Sequence, residues 1–372
     1  MPGLDVLRGL AILAVMQYHA IEALNGTQLR AMPDWFVRFA SVAPFGHLGV
    51  HLFFVLSGFL ITGLLFDSRR SPDYFTRFYV RRAGRILPAY LLMIAVLLLT
   101  GSISLKYVLA CLLFVCNMSS LVGAQNEYGP FWSLSVEEQF YLLWPLVLRR
   151  LTLRQFTWLC VLIVCLSPPL RWALQHAPHA LSDINYKTWA ISDCFGAGAL
   201  AALYVRSRPR AGAAGAVVSL VGAIALYAQF SSTNWGSPLD KALYITPSII
   251  LFTGLVLLAY QFGGIARTAP GRAACFVGEI SYGLYLVHEF VFKVVSRAMP
   301  ASASPSSGEV ALQLGVGVVL AVVMATVSRR TLEAYFLAKA KGEAEVRSAQ
   351  ADPAGGRPVR TADQMSTSTS SP

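Results

Sequence analysis

The stretch LDVLRGLAILAVMQYHAIEAL, residues 4–24, decides the class of fold. As a helix it rises roughly 30 Å, the thickness of a bilayer's hydrocarbon core. Yet it carries Asp5, Arg8, His19 and Glu22. A charged side chain near the bilayer centre costs roughly 2.5 to 3.5 kcal/mol even on a lenient insertion scale, so each one needs a partner or a purpose. Their spacing puts them on one stripe, because from Arg8 to His19 the helix turns through about 1100°, only ~20° from whole turns, and climbs about 16 Å. Arg8 is therefore expected at the inner end and His19 at the outer. Pairing with Asp5 is an alternative reading of Arg8, and a hydrogen-bonded core position of His19. The two residues also argue against a cleaved signal peptide.

The rest of the chain is built in the same way. Of 372 residues, 55% are hydrophobic and 13% charged, whereas charged residues approach about a quarter of a soluble globular chain. A cytosolic enzyme is excluded. The net charge of +11 sits mainly between apolar runs, where Lys and Arg orient a membrane protein rather than bind nucleic acid. Those runs fall near 4–24, 47–66, 86–100, 107–122, 131–148, 156–170, 189–205, 213–230, 242–262, 275–292 and 310–328. The basic blocks Arg69, Arg70, Arg77, Arg81, Arg82, Arg85 and Arg149, Arg150, Arg154 belong on one side, yet three runs separate them. An odd number of crossings cannot return the chain. The weakest run, 107–122, ends in Asn117, Ser119 and Ser120 and reads as re-entrant.

The expectation is an all-α polytopic membrane protein of about ten transmembrane helices plus one re-entrant or half-spanning helix, with both termini cytoplasmic. That orientation puts sixteen Lys and Arg inside against eight outside, the outer set being Arg30, Arg38, Lys106, Arg171, Lys187, Lys241, Lys293 and Arg297. Residues 1–338 form the membrane domain, in the cytoplasmic (inner) membrane, and 339–372, ending MSTSTSSP, are expected to be a disordered cytoplasmic tail. The six cysteines lie in apolar runs without metal-site spacing and read as packing residues, and no metal is expected.

Three further clusters carry chemistry. Glu137 and Glu138, in FWSLSVEEQFYLLWP (131–145), lie roughly 10 Å in from the outer side, level with His19. They point about 100° apart, so one is expected to face His19 and set its tautomer. His51 and His288 fall in the middle to outer half as structural or substrate-contacting groups. At the inner end, Arg82 and Arg85 stand close on one helix face, where guanidinium groups suit phosphates, although the positive-inside rule alone would also place them there. Ser57, in VLSGFL, reads as small-residue helix packing, since no G-x-S-x-G occurs. Gly196 and Gly198 read as packing within or between chains.

Taken in order, LDVLRGLAILAVMQYHA (4–20), GVHLFFVLSGFLIT (49–62), FYVRRAGRILPAY (78–90), FWSLSVEEQFYLLWP (131–145), SYGLYLVHEFVF (281–292) and RRTLEAYF (329–336) resemble the acyltransferase-3 family of integral membrane acyltransferases. The resemblance implies transfer of an acyl group, usually acetyl, from cytoplasmic acyl-CoA to a hydroxyl of a carbohydrate, glycolipid or secondary metabolite. It puts the family's essential histidine at His19, its first-helix arginine at Arg8, its arginine motif at Arg82 and Arg85, and its acidic pair at Glu137 and Glu138. His51, Tyr285 and His288 are the expected substrate contacts. No permanently bound cofactor is implied, and acyl-CoA is the donor substrate. Many relatives are fused to an extracytoplasmic hydrolase-like domain, so this chain is expected to complete the reaction itself or hand off to a partner. His51 stands where relatives often have an acid, and Glu289 where Trp or a small residue is common. An acyl-histidine intermediate stays open beside general-base catalysis, and the rival class is a proton-coupled transporter with His19 and Glu137 as relay.

Overall fold

The computed structural model describes residues 1–175, 186–208, 210–231 and 238–339, and among them every regular element is helical. The principal helices are α1 (Pro2–Glu22), α2 (Leu48–Asp67), α3 (Tyr74–Leu99), α4 (Pro130–Arg150), α5 (Leu153–Leu174), α6 (Asp193–Ser207), α7 (Gly212–Ser231), α8 (Thr246–Gln261), α9 (Ala269–Glu279), α10 (Ser281–Ala298) and α11 (Ser307–Ser328). Among the described residues six helical segments are long and apolar enough to cross a membrane: Pro2–Glu22, Ala43–Asp67, Tyr74–Leu99, Leu153–Leu174, Gly212–Ser231 and Ser307–Lys339. The tail from 340 to 372 lies outside the described residues.

Two helices form the centre of the bundle. α1 packs on α2, α8, α9 and α10, and α2 packs on α4, α6 and α8. Their contact faces are dry: Ile12, Val15, Leu56 and Ile61 are fully buried. The outer helices do the reverse and expose apolar rows to lipid, Trp158, Leu162 and Leu166 on α5, Val217, Leu220 and Ile224 on α7, and Val319, Val323 and Val327 on α11. Backbone contact sets how closely α2 and α6 lie. A Cβ on Gly58 would strike the carbonyl oxygen of Phe195, and one on Gly198 the carbonyl oxygen of Val55. Gly198 therefore serves packing within the chain.

Two expected outer-loop cations are instead internal clasps. Arg171, at the last turn of α5, is 1% exposed and donates to Asp193 Oδ2 (2.7 Å), the carbonyls of Ala190 (2.6 Å) and Ala242 (2.7 Å), and Thr246 Oγ1 (3.0 Å). Lys187 is likewise buried and donates to the Asn117 carbonyl (3.1 Å) and Ser120 Oγ (3.2 Å). Neither charge needs water, because each finds oxygens contributed by segments distant in sequence.

The weak run at 107–122 is a short helix, Leu105–Leu112, and a 3₁₀ turn, Cys116–Val122. Eight residues rise only about 12 Å. The chain reverses at Phe114, whose φ of 53° is left-handed, and its two ends lie together, with Ser104 Oγ donating to Glu127 Oε1 at 2.7 Å. The segment thus leaves at the end where it began. The run expected at 275–292 is broken at Ile280 into α9 and α10.

Candidate active site

Two cavities occupy the middle of the bundle. The first, of about 90 Å³, is lined by Arg8, Arg82 and Arg85 together with Ser57, Ser133, Glu137, Tyr141 and the first turn of α10. α1 brings Arg8, which keeps Asp5 as a partner at 3.2 Å. α3 begins at Tyr74, so Arg82 and Arg85 project from the helix itself. The Arg82 guanidinium lies 4.7 Å from the centroid of the Tyr141 ring, a cation–π contact. Glu137 Oε1 accepts from Ser57 Oγ at 2.7 Å, and Ser57 Oγ lies 3.1 Å from the Tyr141 hydroxyl. Of the acidic pair, Glu137 lines this cavity and Glu138 lines neither.

The second cavity is larger, about 580 Å³, and is lined by His19, His47 and His51, by Glu22, Glu127, Glu289 and Lys293, and by Tyr18, Trp132, Tyr186 and Tyr244. His19 Nδ1 lies 3.3 Å from Glu22 Oε2, one helical turn on. Its ring is 5.0 Å from that of His288. His288 is fully buried, with Nδ1 3.0 Å from the Leu284 carbonyl oxygen and Nε2 without a partner among the described residues. His51 is 5% exposed and its Nδ1 also lacks a partner among them. His47 stacks on Tyr244 and is bonded to its hydroxyl through Nε2 and to the Pro44 carbonyl through Nδ1. Glu289 Oε1 accepts from Lys293 Nζ at 2.5 Å.

The two cavities share part of their walls. Among the described residues, only Val50 and Tyr285 line both. The Tyr285 hydroxyl is bonded to Ser133 Oγ, which also lies 3.1 Å from the Pro130 carbonyl oxygen.

This arrangement corrects two expectations. Neither carboxylate of the pair lines the cavity of His19: Glu137 lines the other cavity, Glu138 lines neither, and the carboxylate beside His19 is Glu22. The depth count along α4 started from Phe131 as though it lay at the membrane surface. Phe131 is 0% exposed and packs among Tyr90, Tyr107 and Tyr128, so the start of the helix is enclosed by protein and a count from it does not fix what Glu137 faces. Ser57 is also corrected, from a packing residue to a cavity residue bonded to Glu137. A sequence signal for the first cavity was present: Ser133, Glu137 and Tyr141 recur at i, i+4 and i+8 and share a helix face, which selects Glu137 over Glu138. His47 and His51 are four apart in the same way.

A helical membrane bundle in which an arginine-lined and a histidine-lined cavity share walls is a multi-pass membrane protein with a site built between its helices. The sequence matches the family's acyltransferase domain over residues 1–329, and the chain belongs to the acyltransferase-3 family. It is similar to the O-acetyltransferase OatA of Staphylococcus aureus strain NCTC 8325, 35% identical over 170 residues that cover 41% of this chain and 25% of that protein. OatA of strain COL matches to the same extent. The matched stretch is thus about a quarter of the length of these curated relatives. No solved structure matches the chain.

Proposed function

We propose that the protein is a membrane-bound O-acyltransferase that moves an acyl group, acetyl in the first instance, from cytoplasmic acyl-CoA to a hydroxyl of a carbohydrate, glycolipid or related metabolite. The observation that carries the reading is that an arginine-lined and a histidine-lined cavity share the walls formed by Val50 and Tyr285. Arg8, Arg82 and Arg85 hold the CoA phosphates through charge-assisted bonds. The pantetheine arm then extends toward Tyr285. From Arg8 to His19 the rise along α1 is about 16 Å, so the nucleotide stays at the arginine end while the thioester reaches the histidine cavity.

His19 acts there as general base. Its Nδ1–H donates to Glu22, which leaves Nε2 to accept the proton of the acceptor hydroxyl. The hydroxyl oxygen attacks the thioester carbonyl carbon, the C–O bond forms, the C–S bond breaks, and the leaving thiolate takes the proton back from the imidazolium. Tyr18, Trp132, Tyr186 and Tyr244 supply aromatic wall for a sugar ring, and His51 Nδ1, without a partner among the described residues, offers it a hydrogen bond. Glu137 orients the donor side through Ser57 and Tyr141. The lipid bilayer is the cytoplasmic membrane, crossed about ten times, with the arginine end inside.

The transporter reading needs His19 and Glu137 on one relay, and their separate cavities speak against it. Reconstituted protein given acyl-labelled CoA and a glycan extract tests the proposal. Labelled ester that disappears with His19→Ala is the expected result. Transport of label without ester formation would contradict it.

A further inference from the structure

We infer that residues 33–45 are a membrane-interface anchor: the apolar stripe Trp35, Phe39 and Val42, continued by Phe45, seats at the boundary between headgroups and acyl chains in the leaflet at the His19 end of α1. The short helix Asp34–Ser41 lies in the link from α1 to α2. It docks by one side only, where buried Phe36 and half-buried Ala40 join Leu24 and Val310 in a small separate core. At 100° per residue, Trp35, Phe39 and Val42 fall within about 60° of one another and about 110° round from that docked side. All three are open: Trp35 is 68% exposed, Val42 49% and Phe39 47%. Asp34, Arg38 and Ser41 form a polar arc on the other flank of the stripe, and exposed Val37 stands on the side opposite it.

Two contacts with α1 fix the depth. The Phe39 carbonyl accepts from Gln17 Nε2 at 3.5 Å, and Gln17 lies five residues, about 7.5 Å, before the end of that spanning helix at Glu22. Further on, a Cβ on Gly46 would strike the carbonyl oxygen of Ala14, about 12 Å before the same end. The segment thus descends along α1 into the membrane, through the depth of about 5–10 Å at which amphipathic helices bury their apolar faces. The neighbours identify the occupant as lipid. The Phe45 ring packs at 4.0 Å on that of Phe230 in α7, the helix whose Val217, Leu220 and Ile224 face the bilayer, so the stripe continues a lipid-facing surface. Trp is enriched at this level of a membrane, and exposed Arg30 and Arg38 suit lipid phosphates. The segment ends at His47, which lines the histidine cavity. The anchor therefore holds one wall of that cavity at the membrane surface.

The test places a nitroxide on single cysteines, in full-length Cys-free protein reconstituted at high dilution into phosphatidylcholine and phosphatidylglycerol vesicles. Trp35→Cys, Phe39→Cys and Val42→Cys report on the stripe, and Val37→Cys and Ser41→Cys on the other sides of the same helix. Collision with oxygen, which partitions into lipid, is compared with collision with a water-soluble nickel chelate. The oxygen-to-nickel ratio should be several-fold higher at 35, 39 and 42 than at 37 and 41. Should the Phe39 variant fail to fold, positions 35 and 42 read the same stripe. Equal ratios at all five positions would overturn the anchor, as would nickel-dominated collisions along the stripe. Protection of the stripe from both reagents, with spin–spin broadening between labels, would place a second copy of the chain on it instead of lipid and overturn the inference too.

Discussion

His19 and Glu22 are one turn apart on α1, and 3.3 Å separates Nδ1 from the carboxylate. If His19 is the general base, His19→Ala lowers transfer by about 10² to 10⁴ in reconstituted protein that still inserts, and Glu22→Ala causes a smaller loss in kcat with KM for acyl-CoA unchanged. A His19→Ala variant with near-normal turnover would remove the assignment. At the other cavity, Arg82→Lys should recover only part of what Arg82→Ala loses in acyl-CoA KM, because an ammonium makes neither the paired guanidinium contacts nor the guanidinium's contact with the Tyr141 ring. Equal KM values for wild type and both variants would leave the arginines a topological role alone. Arg8 and His19 were legible from the periodicity of one helix. The partner of His19 was legible in the same stripe, as Glu22, whereas the expected partner, Glu137 or Glu138, rests on counting residues along α4, which cannot reveal what its first turn packs against. Tyr244 stands 197 residues from His47, and no spacing rule connects them.

At the scale of elements, the Arg171–Asp193 pair is the clearest case of a charge whose meaning depends on the fold. Both side chains are 2% exposed. Removing one partner leaves a buried charge uncompensated, so Arg171→Leu should cost about 3 to 5 kcal/mol, read as a fall in thermal unfolding temperature in detergent. Arg171→Leu with Asp193→Leu together should regain most of it. A single variant as stable as wild type would contradict the clasp. Helices were legible where apolar runs were long and uninterrupted, as in α2 and α11. The break at Ile280 was not, since the run 275–292 is apolar on both sides of it. The reversal at Phe114 was half legible: the polar Asn117, Ser119 and Ser120 announced that the run does not continue, but the bond between Ser104 and Glu127 that brings its ends together is a matter of tertiary contact.

For the whole molecule, the two cavities define a direction, from arginines to histidines, and the proposed orientation turns it into a route across the membrane. Single cysteines introduced in a Cys-free background at Ser71 and Ser207 should react with an impermeant thiol reagent only from the cytoplasmic side, and at Ser304 only from the opposite side. Labelling of Ser71 and Ser207 from outside would invert the orientation. The central claim is that donor and acceptor meet from opposite faces. Vesicles with the protein reconstituted in one orientation test it most directly, with acyl-CoA confined to one face and the glycan extract present on both. Donor supplied to the face that exposes the Arg82 and Arg85 end should support ester formation, and the same donor on the other face should not; equal activity from both faces would contradict the through-membrane route.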